Sequence, residues 1–250
     1  MKLQDQIANW LCEYLDAAGA DGLVLGLSGG VDSATAAALA VRAVGPHSVL
    51  AAMLPCHSEP IDTRLAHEVA DVFSMPTVTV NLDHAFDALT ESLPPTEHQL
   101  AAANVKPRLR MTALYYLAQT NNYLVLGASN KTELLVGYFT KYGDGGADLL
   151  PMGDLYKTEV WKLARDLGVP QEIVERPPSA GLWPGQTDEE EMGITYEELD
   201  RVLMAIASGD TAGTAPATLA KVERMIASSA HKRAMPPIFR RSSGRPIVGG

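Results

Sequence analysis

Residues 23–42 read LVLGLSGGVDSATAAALAVR, and the fold is decided there. Leu23, Val24, Leu25 and Leu27 form a short apolar run without polar alternation, the pattern of a strand buried on both faces of a parallel sheet. Ser28, Gly29 and Gly30 follow, residues that turn tightly and leave backbone N–H groups bare. Ser33 opens an Ala-rich segment of high helix propensity, Ala34 to Val44, closed by Gly45-Pro46. A strand, a glycine turn and a helix start make an anion site, because unpaired N–H groups and the positive end of the helix dipole both favour phosphate.

The flanking chain repeats this unit. Residues 48–54, SVLAAML, read as a second strand, and Thr77 to Val80 as a third. Between them Leu65, Ala66, Val69, Ala70 and Phe73 share one face of a helix spanning Ile61 to Phe73. The resulting β-α-β-α-β rhythm predicts an α/β fold: an open parallel sheet, Rossmann-like, with right-handed crossovers and helices on both faces. Ligands of such sheets bind beyond the carboxyl ends of the strands, where Ser28 to Ser33 must lie.

Upstream, Leu3, Ile7, Trp10, Leu11, Tyr14 and Leu15 line one face of a helix over residues 3–18, ended by Gly19. Downstream, Asp83 to Ser92 predicts a helix, and Glu97 to Thr120 a longer one with Leu109, Ala113, Tyr116 and Leu117 toward the core. Pro107 predicts a kink or a restart in it. Tyr123 to Leu126 is the fourth strand and Asn130 to Val136 a short helix. Phe139 to Leu149 is a polar, glycine-rich loop suited to order around a ligand, and Lys157 to Leu167 is a helix stopped by Gly168 and Pro170. Arg176 to Glu191 reads as a mobile lid or a solvated surface loop, and composition alone favours the second. Helices follow at 195–207 and 215–230, then a basic tail from His231 whose residues 241–250 are expected to be flexible.

Composition bounds the function. The chain has 250 residues, 46% hydrophobic and 20% charged, with a formal charge of −10. That balance argues against nucleic acid or an anionic membrane as partner, so any polyanionic ligand must meet a local cluster of Lys and Arg. Cys12 and Cys56 form neither a disulfide framework nor a CxxC metal site, and a reducing cytoplasm fits. The start, MKLQDQIANW, lacks a long apolar region, and no apolar run reaches about 18 residues, so we expect neither export nor a membrane span.

SGGVDS is neither a Walker A loop nor GxGxxG. It resembles the loop of the ATP-pyrophosphatase (PP-loop) superfamily, in which Ser28, Gly29, Gly30 and Ser33 would hold pyrophosphate and Asp32 would sit at a magnesium ion. A Ser/Gly-rich turn with an Asp near a helix start is also a common structural device. Magnesium beside ATP needs a second acid, and Glu133, shortly after the fourth strand, returns to the same sheet edge as Asp32. The other reading of Glu133 is an exposed helix acid near Lys131. Arg108, Lys131, Lys141, Lys157 and Lys232 recur in loops and helices around this edge.

Longer stretches narrow the resemblance. NVKPRLRMTALYYLA (104–118), LGASNKTELLVGYFTKYGDGGADLLPMGDLYKTEV (126–160), PPSAGLWPGQTDEEEMGITYEELD (177–200) and HKR (231–233) resemble the ammonia-dependent NAD+ synthetases, from about residue 5 to about 240. The resemblance implies one synthetase domain over residues 1–250. It implies a ligase that activates the ring carboxylate of deamido-NAD+ with ATP. An acyl-adenylate and pyrophosphate form, and ammonia then displaces AMP. ATP would be held by Gly26, Leu27, Ser28, Gly29, Gly30, Val31, Asp32 and Ser33, with Lys157 and Ser179. Asp32 and Glu133 would hold Mg2+, and Arg108, Lys141, Asp148, His231 and Lys232 would contact deamido-NAD+. The relatives' homodimer, with the dinucleotide at its interface, comes by resemblance too. Where relatives often carry Thr, Ala128 removes a hydroxyl that meets ATP; Pro107 replaces the usual Ala, and Ser179 keeps the hydroxyl of a Thr.

Asp32, Asp144 and Lys157 are the candidate catalytic residues. Ammonium has no lone pair until it loses a proton, and Asp144 or Asp148 is placed to attract and deprotonate it. Asp144-Gly145 is equally a plain turn. Cys56, after Pro55 at a strand end, reads as a packing residue rather than a glutaminase nucleophile. Rival readings are another PP-loop ligase, a tRNA-modifying adenylating enzyme, and a non-catalytic nucleotide-binding module.

Overall fold

The computed structural model describes residues 1–183 and 185–239, so the expected flexible tail at 241–250 lies outside the described residues. The chain runs α1 (Leu3–Ala18), β1 (Gly22–Gly26), α2 (Val31–Val44), β2 (Val49–Met53), α3 (Pro60–Val72), β3 (Thr77–Thr79), α4 (Asp83–Ser92) and α5 (Gln99–Ala103). Then come α6 (Val105–Asn121), β4 (Tyr123–Val125), α7 (Lys131–Val136), α8 (Lys157–Leu167) and α9 (Gln171–Glu175). α10 (Asp188–Met192), α11 (Tyr196–Ser208) and α12 (Pro216–Ser229) complete it.

The strands lie in the order β3-β2-β1-β4, all parallel, with Leu25 beside Ala51 and Val24 beside Val125. Alternation along the central strands serves two cores. Leu23, Leu25, Val49, Ala51 and Met53 pack among apolar residues of α1, α2, α3 and α8. Val24, Ala52 and Val125 face the other way, onto Ala118 of α6 and Phe86 of α4. Helices therefore cover both faces, and the unbroken apolar reading of β1 is what a doubly covered strand requires. A separate cluster joins Val136 to Tyr196, Leu199, Val202 and Val222, binding α7 to α11 and α12.

The long helix restarts rather than kinks. α5 ends at Ala103, Asn104 separates the two, and Pro107 is the third residue of α6, where a helix has no intrahelical partner for the N–H that proline lacks. Two details correct the core reading. Tyr116 is 73% exposed, on the outer face of α6 with Arg108 and Thr112, because apolar residues surround that helix and do not fix its phase. On α1, Ile7, Leu11 and Leu15 are buried while Leu3 and Tyr14 are exposed. α9 and α10 fall in segments whose Pro, Gly and charge content concealed single helical turns.

Candidate active site

The loop after β1 is held open by its own hydroxyls. Ser33 Oγ donates to Gly30 O (3.0 Å) and accepts the Ser28 N–H (3.2 Å), and Ser28 Oγ accepts the Gly30 N–H (3.3 Å). Gly29 has φ +77°, and a Cβ there would lie 2.6 Å from Asp62 O, so only glycine lets the loop pass against α3. α2 begins at Gly30 with no side-chain cap, which leaves its first N–H groups directed at the loop.

Asp32, in the first turn of α2, meets residues that arrive from beyond β4. Asn130 Nδ2 donates to Asp32 Oδ1 at 2.9 Å, and the Lys157 ammonium pairs with Asp32 Oδ2. Asn130 also caps α7: its side chain accepts the Glu133 N–H (3.0 Å), and Glu133 Oε2 accepts the Asn130 N–H (3.2 Å). One buried amide thus fixes both acids. Lys157 is fully enclosed, with Glu133 Oε1 3.6 Å from its nitrogen and the Tyr196 ring centroid 4.8 Å away. Burial opposes the ammonium, but Asp32 and Glu133 outweigh it and hold its pKa above that of an ordinary lysine. Burial, and after it the Asp32 charge, push the Glu133 carboxyl well above the usual carboxylate range. Glu133 is therefore no exposed helix acid. Two carboxylates of hard oxygen donors, next to an anion loop, fit a magnesium ion completed by phosphate oxygens.

These residues border a cavity of about 710 Å³ at the carboxyl ends of the strands. Gly26, Leu27, Ser28, Gly30, Val31, Asp32, Ser33, Glu133, Asp144, Ser179 and Lys232 all line it, and Ala128 lines it too, without a side-chain hydroxyl. Gly29 turns away toward α3, and Lys157 sits behind Asp32. Asp144 Oδ1 accepts the Thr140 N–H at 2.9 Å, and desolvation of this carboxyl within its loop raises its pKa although the residue as a whole is exposed. Lys232 donates to Gly137 O (2.7 Å) and Phe139 O (2.8 Å), bracing the start of the glycine-rich loop. The remaining candidates lie elsewhere. Arg108 reaches Asn104 O and Lys141 O, both at 3.4 Å, and Lys141 donates to His231 O and Ala234 O. His231 is exposed, and Asp148 accepts from Tyr115 Oη (3.0 Å) and the Val125 N–H (2.8 Å), tying α6 to β4. Lys131 pairs with Asp154 at the surface, and Cys56 is buried with its thiol pushed up by burial, as a packing residue should be.

Two wall residues escaped the sequence reading. Asp188 looked like part of a solvated charge run, yet it is 5% exposed and accepts from Tyr196 Oη (2.9 Å) and Tyr138 Oη (3.1 Å). Burial raises its pKa, and only its place at the start of α10, after the Thr187 cap, hinted at an inward position. Arg110, two residues beyond Arg108, faces inward: Nε donates to Leu54 O (3.0 Å) and Nη2 to Ser58 Oγ (3.2 Å). A consistent helix phase with Ala113, Leu114 and Leu117 would have found it.

A parallel α/β sheet, a serine–glycine anion loop closing its first strand and paired acids beside that loop are the architecture that the resemblance to the PP-loop class implies. Comparison with known proteins narrows the class: the NAD synthase family model matches residues 3–236, and the chain belongs to that family. An NH(3)-dependent NAD(+) synthetase from Syntrophomonas wolfei is 50% identical over 244 residues, 94% of this chain and 95% of that protein. Among solved structures, an NMN synthetase from Francisella tularensis superposes with a TM-score of 0.85 at 38% identity, over 95% of this chain and 98% of that one. An NH3-dependent NAD synthetase from Campylobacter jejuni, in complex with the nitrate ion, gives 0.83 at 28% identity, over 96% and 100%.

Proposed function

We propose that this chain is an NAD+ synthetase that amidates deamido-NAD+ with free ammonia at the expense of ATP. The observation that carries this reading is one cavity lined by both an anion loop, Ser28 to Ser33 without Gly29, and the carboxylate of Asp144 in the glycine-rich loop. A ring carboxylate oxygen attacks the α-phosphorus of ATP, the bond to the β-phosphate oxygen breaks, and pyrophosphate leaves. Loop N–H groups and the start of α2 meet the charge that moves onto pyrophosphate. Ammonia then attacks the activated carbonyl carbon, and AMP leaves with the electron pair of the broken C–O bond. Asp144 takes the proton that ammonium must lose; its raised pKa makes it a better base than an ordinary carboxylate. Asp32 and Glu133 would hold Mg2+, which neutralises the phosphates when bound. Lys157 keeps those two acids in register from behind.

We read the working form as a homodimer with the dinucleotide's far end at the interface. Arg108, Lys141 and His231 lie off the cavity wall, α6 exposes Tyr116 on the same face as Arg108, and the adjoining α4 and α5 expose Leu89 and Leu100. Residues 1–250 are read as one domain acting in the cytoplasm; no described helix is long and apolar enough to cross a membrane. A charge of −10 speaks against a nucleic-acid substrate.

The likeness to an NMN synthetase supports a second reading, amidation of the pyridine mononucleotide. One assay separates the two. The purified chain, with ATP, magnesium and ammonium, is given deamido-NAD+ or the carboxylate mononucleotide, and products are resolved by chromatography. NAD+ with AMP and pyrophosphate is expected. Turnover of the mononucleotide alone would favour the second reading, and turnover of neither would overturn both.

A further inference from the structure

On the synthetase reading the cavity must take polyanions, yet its wall is acidic. Asp32, Glu59, Asp62, Glu133, Asp144, Asp188 and Glu191 line it, against Arg110, Arg176 and Lys232 as the lining Lys and Arg among the described residues. Arg176 is paired with Asp62 at 2.7 Å, and Lys232 holds two carbonyls of the turn before the glycine-rich loop. Arg110 differs from both. Its two hydrogen bonds go to neutral acceptors, Leu54 O and Ser58 Oγ, and none goes to a carboxylate. One turn earlier on α6, Lys106 is buried where Arg110 is half-buried, and it too donates to a neutral oxygen, Leu182 O at 2.9 Å. Two like charges at i and i+4 disfavour each other, and buried charges are ordinarily paired. Burial lowers the pKa of both side chains. Arg110 therefore brings to the cavity wall a half-buried positive charge with no carboxylate among its hydrogen-bond partners. It lines the same cavity as Asp62, beside the anion loop, and Asp144, in the glycine-rich loop.

We propose that Arg110 is an oxyanion-binding residue of the reaction centre, whose guanidinium, held by Leu54 O and Ser58 Oγ, takes an oxygen of the reacting carboxylate or of the α-phosphate. This rests on the synthetase reading and adds a residue that it does not assign. A planar fork fixed on two sides suits an oxyanion, and the bond is charge-assisted. The charge disfavoured in the free protein becomes a gain when the anion arrives, so the cost is met on binding.

The test titrates wild type, Arg110→Gln and Arg110→Lys with AMP, deamido-NAD+ and NAD+. AMP carries the phosphate without a ring carboxylate, and NAD+ differs from deamido-NAD+ by an amide for that carboxylate. If the guanidinium meets the carboxylate, wild type binds deamido-NAD+ more tightly than NAD+, and Arg110→Gln loses that preference by about 10-fold or more with AMP affinity kept. If it meets the phosphate, AMP affinity falls by about 10-fold or more and the preference stays. Arg110→Lys, which keeps the charge but not the fork, should recover part of either loss. The Gln variant should melt close to wild type, because its amide can still donate to one of the two neutral oxygens. Unchanged affinities for all three ligands in both variants would overturn the proposal. A lowered melting temperature with affinities intact would show a structural tie instead. Wild-type turnover is measured first: no NAD+ from wild type sinks the synthetase reading, whereas full turnover by both variants sinks this one alone.

Discussion

Residues 26–33 and residues 176–233 both serve the same cavity, by opposite means. The first stretch is local. Its turn, hydroxyls, acid and helix start follow one another along the chain, and the hydrogen bonds of its two serine hydroxyls span five residues or fewer. The second is assembled at long range: Asp188 reaches Tyr138 on the far side of α7, Lys106 of α6 holds Leu182, and Lys232 holds Phe139. Local geometry is cheap in chain entropy and leaves its mark in consecutive residue types. Long-range geometry is fixed by packing, so a single side chain there reads as any polar residue would.

If the local stretch carries the pyrophosphate chemistry, its acid should be the most damaging single change. Asp32→Asn keeps the shape and the Asn130 contact while removing the charge. We expect pyrophosphate release to fall by roughly 10³-fold, with circular dichroism unchanged. Normal turnover of that variant would remove Asp32 from the chemistry. Next in size is Gly29→Ala. The left-handed φ and the approach to Asp62 O should together cost about 3 kcal/mol, read as a lower urea midpoint. A midpoint equal to wild type would mean that the loop sits farther from α3 than described.

The contrast explains what the sequence made legible. Four strands, the restart near Pro107 and the Asn130 to Val136 helix followed from apolar runs, a missing N–H and a cap, all local causes. Arg108 and Arg110 show the limit. Two residues apart on a helix they point to nearly opposite sides, and α6 has apolar residues all round, so NVKPRLRM does not say which arginine faces the cavity. Asp188 shows the same limit from the other side. A run of four acids reads as solvent-facing, and only the hydroxyls of Tyr138 and Tyr196, 50 residues upstream and 8 downstream, draw the first of them inward.

The long-range half should break more gently. Asp188→Ala removes the shared acceptor of two tyrosine hydroxyls, but Glu191 stays 2.7 Å from Tyr138 Oη and Glu133 3.5 Å from Tyr196 Oη. With substitutes in place and one buried carboxylate gone, the cost should be about 2 kcal/mol. A loss beyond that of Gly29→Ala would reverse the ranking and make this half the stricter one.

Thr195→Ala is the smallest and the sharpest test of that ranking. Thr195 is exposed and caps α11 by accepting the Glu198 N–H at 3.3 Å, immediately before the buried Tyr196. Losing the cap should cost about 1 kcal/mol and lower the melting temperature by about 2–4 °C for a chain of this size. Turnover should not change, because Tyr196 is held by Asp188, by the Trp161 ring at 6.0 Å and by a backbone N–H bound to Glu189, none of which involves the cap. If turnover fell with stability, Tyr196 would owe its place to the first turn of α11, and the distinction drawn between local and long-range construction would fail at the residue where the two meet.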